Sequence, residues 1–68
     1  MEQIIMRHNE QLLKATDIAQ ILNISRAMAY RLMQLGEIRT VSIGTAKRVR
    51  RKDLLAYIEN NLSPMSKV

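Results

Sequence analysis

The stretch Lys14-Ala15-Thr16-Asp17-Ile18-Ala19-Gln20-Ile21-Leu22-Asn23-Ile24-Ser25-Arg26-Ala27-Met28-Ala29-Tyr30-Arg31-Leu32-Met33-Gln34-Leu35-Gly36 decides the fold. From Lys14 to Leu22 the apolar residues Ala15, Ile18, Ala19 and Leu22 recur at helical spacing and make one face. Asp17 falls in the first turn, where a carboxylate suits the positive end of the helix dipole. Asn23-Ile24-Ser25 breaks the pattern. Ser25 is a good N-cap, because its hydroxyl oxygen can accept from an orphan backbone N–H. A second helix is expected from Arg26 to Leu35, with Ala29, Leu32 and Met33 inward. Gly36 ends it, since glycine tolerates the left-handed conformation found just past helix ends.

A turn of this length between two helices is that of a helix-turn-helix. N-terminal to it, Leu12-Leu13 is a short apolar pair suited to one short strand or an anchor. C-terminal to it, Thr40-Val41-Ser42-Ile43 and Arg48-Val49-Arg50 alternate polar and apolar residues around Gly44-Thr45-Ala46. This predicts a β-hairpin. If Val41 and Val49 share a buried face they are cross-strand partners, so Ser42 faces Arg48, Ile43 faces Lys47, and residues 44–46 form the loop. Arg48 and Arg50 then point away from the core. A third helix is expected to begin near Arg51–Asp53, with an apolar stripe of Leu54, Leu55, Ile58 and Leu62 and with Tyr57 packed beside it. Ser63-Pro64 stops it, because proline cannot continue the hydrogen-bond ladder.

The expected fold class is therefore mainly α with a small β-hairpin, a winged helix-turn-helix over residues 12–62. An N-terminal arm (1–11) precedes it and a disordered tail (63–68) follows.

The chain has 68 residues, 11 Lys+Arg against 6 Asp+Glu, one His and no Cys. That length holds one domain, and folding buries only about 60% of the surface of so short a chain. Without cysteine there is no disulfide framework and no thiolate zinc site. No apolar run reaches the roughly 18 residues that a membrane span needs. The first seven residues lack the basic and apolar regions of a signal peptide, so a cytoplasmic protein is expected.

The net charge of +5 is unevenly placed. Between Arg26 and Lys52 stand eight basic residues and one acid, Glu37, a net +7; the remainder carries three basic residues against five acids, a net −2. Five of the six residues from Lys47 to Lys52 are basic. Like charges crowded this closely destabilise a small fold unless a polyanion neutralises them. The charged region coincides with the second helix and the hairpin, so double-stranded DNA is the expected partner.

The ordered set Ala19, Leu22, Ser25-Arg26, Tyr30-Arg31-Leu32, Gly36-Glu37-Ile38, Ile43-Gly44 and Asp53-Leu54 resembles the excisionase-type, MerR-like winged helix-turn-helix domains of phages and mobile elements. The resemblance covers about Leu12 to Leu62. It implies a second helix in the major groove and a wing on the backbone or minor groove. By matching position, Ser25, Arg26, Ala27, Met28, Tyr30 and Arg31 would form the reading surface, and Lys47 and Arg48 the wing contacts. Arg50 is added by the outward alternation of the second strand.

The chain departs from the family pattern at three places. Lys14 stands where a Ser or Thr cap is common, Lys47 where an aromatic is common, and Ala27 and Met28 where polar residues are common. Ala27 or Met28 could instead pack on a thymine methyl. Tyr30 is open to either a phosphate contact or core packing, and His8 is expected to be an incidental surface residue.

The resemblance implies a recombination role. The protein would bind and bend attachment-site DNA and steer a tyrosine recombinase (integrase) toward excision, without enzyme activity or cofactor of its own. A transcriptional regulator of the same fold, a protein-interaction adaptor and, last, a membrane-surface peptide are the competing readings. MerR-type regulators dimerise through a long helix after this domain. The shortness of the present chain points instead to a monomer whose copies bind side by side on DNA.

Overall fold

The computed structural model describes residues 11–63. Three helices and one hairpin follow in the order α1 (Ala15–Leu22), α2 (Arg26–Gln34), β1 (Val41–Ile43), β2 (Ala46–Arg48) and α3 (Arg51–Asn60). The expected arm with His8, and the expected tail with its Pro64 stop, lie outside the described residues apart from Gln11 and Ser63.

Helix α1 starts at Lys14, whose ammonium has no lone pair to offer as a cap. The aspartate at the third helical position supplies half of a capping box instead: Asp17 Oδ2 accepts the Lys14 backbone N–H at 2.8 Å. Asn23 closes α1 in the left-handed region, at φ 59 and ψ 48. Its N–H and that of Ile24 both turn back to the Ala19 carbonyl. Two residues later Ser25 begins α2 as expected, its Oγ accepting the Met28 N–H at 3.0 Å. The chain leaves α2 through Gly36 at φ 76, which lets the Glu37 and Ile38 N–H groups return to the Leu32 carbonyl.

These turns bring one apolar cluster together. Ile18, Ala29, Ile38 and Val49 are fully buried, and Leu13, Ala15, Ala19, Met33 and Leu54 are nearly so. Alanines on the facing sides of α1 and α2 keep the bulk between those helices small. Leu22, Ile24, Leu32, Tyr57 and Ile58 are half-buried against the cluster.

The hairpin differs from expectation in register. Val41 pairs with Arg48, Ser42 with Lys47 and Ile43 with Ala46, so the loop is the two residues Gly44-Thr45. Val49 finds a different partner. It exchanges both backbone hydrogen bonds with Leu13, at 2.8 and 2.9 Å. Burial of Val49 is thus met by the strand-like anchor before α1, and Val41 need not lie opposite it. Gly44, at φ 60, supplies the positive dihedral that a tight two-residue hairpin loop requires. The even loop puts Val41, Ile43, Ala46 and Arg48 on one face, half-buried except at Ile43, which is 55% exposed at the loop end. Lys47 and Ser42 take the other face, where Lys47 Nζ donates to Ser42 Oγ at 3.0 Å.

The third helix also buries less than its composition suggests. Leu54, Tyr57 and Ile58 face the core, whereas Leu55 and Leu62 are 55% and 62% exposed. Leu55 lies about 100° around the helix from Leu54, and the core of so small a domain covers one stripe only. The helix ends at Asn60, before Leu62. Asn61 Nδ2 donates to the Tyr57 carbonyl at 2.8 Å, which satisfies one of the last carbonyls.

Candidate nucleic-acid interface

Helix α2 is buried along Ala29 and Met33, half-buried at Leu32 and exposed elsewhere. At about 100° per residue, Ala27, Arg31 and Gln34 point most directly outward. Tyr30 stands on one flank of that arc and Met28 on the other, about 160° apart. All five side chains are exposed, Tyr30 at 54% and Met28 at 46%. The exposure of Tyr30 answers the question the sequence left open: the ring is not core filler. Arg26 and Arg31 diverge by about 140°. Arg26 at the helix start lines a shallow hollow with Thr16 and Gln20 of α1 and with Asn23 at its end, and Arg31 stays on the outward arc.

The hairpin stands beside the Tyr30 flank. A groove of about 610 Å³ separates them, lined by Tyr30, Met33 and Gln34 of α2 and by Arg39, Thr40, Ser42 and Lys47 on the hairpin side. A second, smaller hollow lies where Tyr30, Lys47 and Arg48 meet the start of α1. Tyr30 and Lys47 line both, so they form the ridge between the two concavities. The structure therefore joins Tyr30, Lys47 and Arg48 in one surface contiguous with the outward arc of α2. It also adds residues that sequence reasoning passed over. Gln34 carried a signal, being four residues after Tyr30 on the same arc. Arg39, Thr40 and Ser42 carried none, since their approach to α2 depends on the chain path after Gly36.

Arg50 stands apart from this surface. It is the N-cap residue of α3, beyond the end of β2, and its guanidinium is forked onto Asp53: Nε to Oδ2 at 2.5 Å and Nη2 to Oδ1 at 3.1 Å. Donation from Arg50 is the main cause holding the Asp53 carboxyl below its ordinary range; the positive fields of Arg50, Arg39 and Lys52 add to it, and burial opposes them. The same pair raises the Arg50 guanidinium above its ordinary value. Lys47 and Arg48 make no such pair. Arg48 Nη1 donates to the Lys47 carbonyl at 2.9 Å, and among the described residues neither cation meets a carboxylate.

Three helices with a hairpin wing, and cations on the second helix and the wing, define a DNA-binding helix-turn-helix protein. Residues 12–62 match the family described as Helix-turn-helix domain, and the chain belongs to that family. Comparison with curated proteins and with solved structures gave no match. Among the described residues, no helix is long and apolar enough to cross a membrane.

Proposed function

We propose that the chain is an excisionase-type protein with a MerR-like winged helix-turn-helix. It binds and bends attachment-site DNA of a phage or other mobile element and directs a tyrosine recombinase toward excision. The observation that carries the DNA half of this reading is the continuous surface of α2 and wing, cationic at Arg31, Arg39, Lys47 and Arg48, with Arg26 exposed at the start of α2. The recombination half rests on the ordered residue set shared with excisionase-type domains. In this reading α2 enters the major groove with Ala27, Arg31 and Gln34 toward base edges. Ser25 and Arg26 flank the backbone at the helix start, and Met28 at the far flank offers an apolar contact. A phosphodiester strand lies along the groove between α2 and the hairpin, against Tyr30, Arg39 and Lys47. The protein performs no strand chemistry and needs no cofactor; cleavage and joining belong to the recombinase. It acts as a monomer in the cytoplasm, with copies placed side by side on the site.

Binding to five to seven phosphates gives a slope of log K against log salt of about −4.5 to −6. An excision assay with a tyrosine recombinase encoded beside this chain, with and without the protein, tests the role. Excision that depends on the protein supports it. Footprints on promoter DNA with unchanged excision would transfer the protein to the transcriptional regulators. No protected DNA at about 100 mM salt, with tight binding to an acidic protein, would remove DNA altogether.

A further inference from the structure

Lys14 lies outside the basic stretch of the sequence, in the part whose net charge is negative. The fold returns it to the wing. It lines the smaller hollow, of about 330 Å³, together with Thr16, Tyr30, Thr45, Lys47 and Arg48. Three cations from two separate segments, Lys14 at the start of α1 and Lys47-Arg48 on β2, thus surround one concavity, with hydroxyls between them and no acid in the lining.

The local chemistry of Lys14 is unfavourable for folding. It occupies an N-cap, where a side chain that can accept a hydrogen bond is preferred. Its positive charge also sits at the positive end of the helix dipole. Asp17 accepts the Lys14 backbone N–H and forms no ion pair with the Lys14 ammonium. Among the described residues the Lys14 side chain is exposed and forms no ion pair. A residue that breaks local rules without a compensating contact marks a functional position. A tetrahedral anion with several acceptor oxygens matches convergent ammonium, guanidinium and hydroxyl donors.

We propose that this hollow is a phosphate site for the DNA backbone, on the opposite side of the Tyr30–Lys47 ridge from the main groove. Lys14 closes it from α1. The site rests on the DNA-binding reading above and extends it: the ridge sits between two backbone contacts, and helix α1 takes a direct part in binding.

The test is a set of DNA titrations over a range of salt with the wild type, Lys14→Ala, Lys14→Arg and Lys52→Ala, the last removing an exposed cation that does not line the hollow. Lys14→Ala is expected to weaken binding about tenfold and to make the salt slope shallower by about 0.9. Lys14→Arg keeps most of both, and Lys52→Ala changes both less than Lys14→Ala. Duplexes carrying one uncharged methylphosphonate at successive positions then locate the contact. At one position the wild type loses affinity and Lys14→Ala loses no more. Thermal midpoints check that every variant is folded. If the wild type binds DNA and Lys14→Ala behaves like Lys52→Ala, or no position is insensitive in Lys14→Ala, the site is wrong while the DNA reading stands. If the folded wild type binds no DNA, the DNA reading itself fails.

Discussion

Lys14-Ala15-Thr16-Asp17-Ile18 opens α1, and Arg50-Arg51-Lys52-Asp53-Leu54 opens α3. Each places a basic residue at the N-cap, an aspartate at the third helical position and a buried aliphatic after it. The two aspartates nevertheless do different things. Asp17 caps the backbone and leaves the ammonium of Lys14 to solvent. Asp53 grips the guanidinium of Arg50 with both oxygens and takes it out of play. The contrast follows from the cations. A planar guanidinium matches a carboxylate in a bidentate fork, whereas an ammonium on a flexible stem gains little from being held. Two helix starts of the same pattern thus give one cation free for a ligand and one committed to the fold.

The shared part of the pattern should show the largest effects. Ile18 and Leu54 are 0% and 2% exposed. Replacing either with alanine is expected to cost about 2–5 kcal/mol in denaturant unfolding. A domain of this size has little more stability than that to lose, so both variants should be largely unfolded at 25 °C. A folded, near-native Leu54→Ala would show that α3 is held by the Arg50–Asp53 pair rather than by its apolar anchor.

The aspartates come next. Asp53→Asn loses the charge that holds Arg50, while Asp17→Asn still offers an oxygen to the Lys14 N–H. In thermal unfolding the first should lower stability clearly and the second by about a few tenths of a kcal/mol at most. Their pH dependence should differ too. Because the folded-state Asp53 carboxyl titrates below its unfolded value, its stabilisation is fully present above the unfolded value near pH 4. It is lost as pH falls through the lower folded value. The gap between wild type and Asp53→Asn should therefore be constant from pH 5 to 7 and close in acid. A gap that widens in acid would contradict the pairing.

The same contrast shows what the sequence could and could not disclose. The helix-turn-helix was legible because its signals are local. Ser25 caps the second helix, Gly36 ends it, and the apolar spacing of Ile18, Ala19, Ala29 and Met33 marks its buried sides. Most of the exposed arc of α2 followed from that, since helical projection needs no tertiary information. The hairpin register was not legible, because Val49 is buried by pairing with Leu13, 36 positions away in the chain. With that partner unseen, Val41 was the natural one to assign. Alternation along one strand points both Arg48 and Arg50 outward. The strand ends at Arg48, and Asp53 captures Arg50 from the next helix. Leu55 and Leu62 fit a helical stripe, but how wide a stripe is covered depends on how much core there is to cover it. Lys14 stood out in the sequence only as a poor cap; its place beside Lys47 and Arg48 is set by the fold, not by position along the chain.

On DNA the two cations should separate. Arg50→Ala is expected to lower stability and leave the salt slope within about 0.3 of the wild type, since a paired guanidinium displaces few counterions. A shift near 0.9, as large as that expected for Lys14→Ala, would mean that Asp53 releases Arg50 when DNA binds.

A small gain in stability is the most discriminating effect where its sign is opposite for folding and binding. Lys14→Ser provides the missing cap: a hydroxyl oxygen can accept the Asp17 N–H while Asp17 continues to accept from residue 14. It also removes a cation from the positive end of the α1 dipole. Together these should raise stability by about 0.5–1 kcal/mol in urea unfolding. Affinity for DNA should fall at the same time, about as far as in Lys14→Ala. A residue kept only by its helix would not show that exchange, because improving the helix start would leave binding untouched. The equivalent change at the other helix, Arg50→Ser, also supplies a cap but strands the Asp53 carboxylate, 10% exposed, without its fork. It should therefore give no gain in stability and little change in DNA affinity. If Lys14→Ser and Arg50→Ser instead stabilise alike and bind alike, the two helix starts are equivalent and the free cation at α1 has no part in recognition.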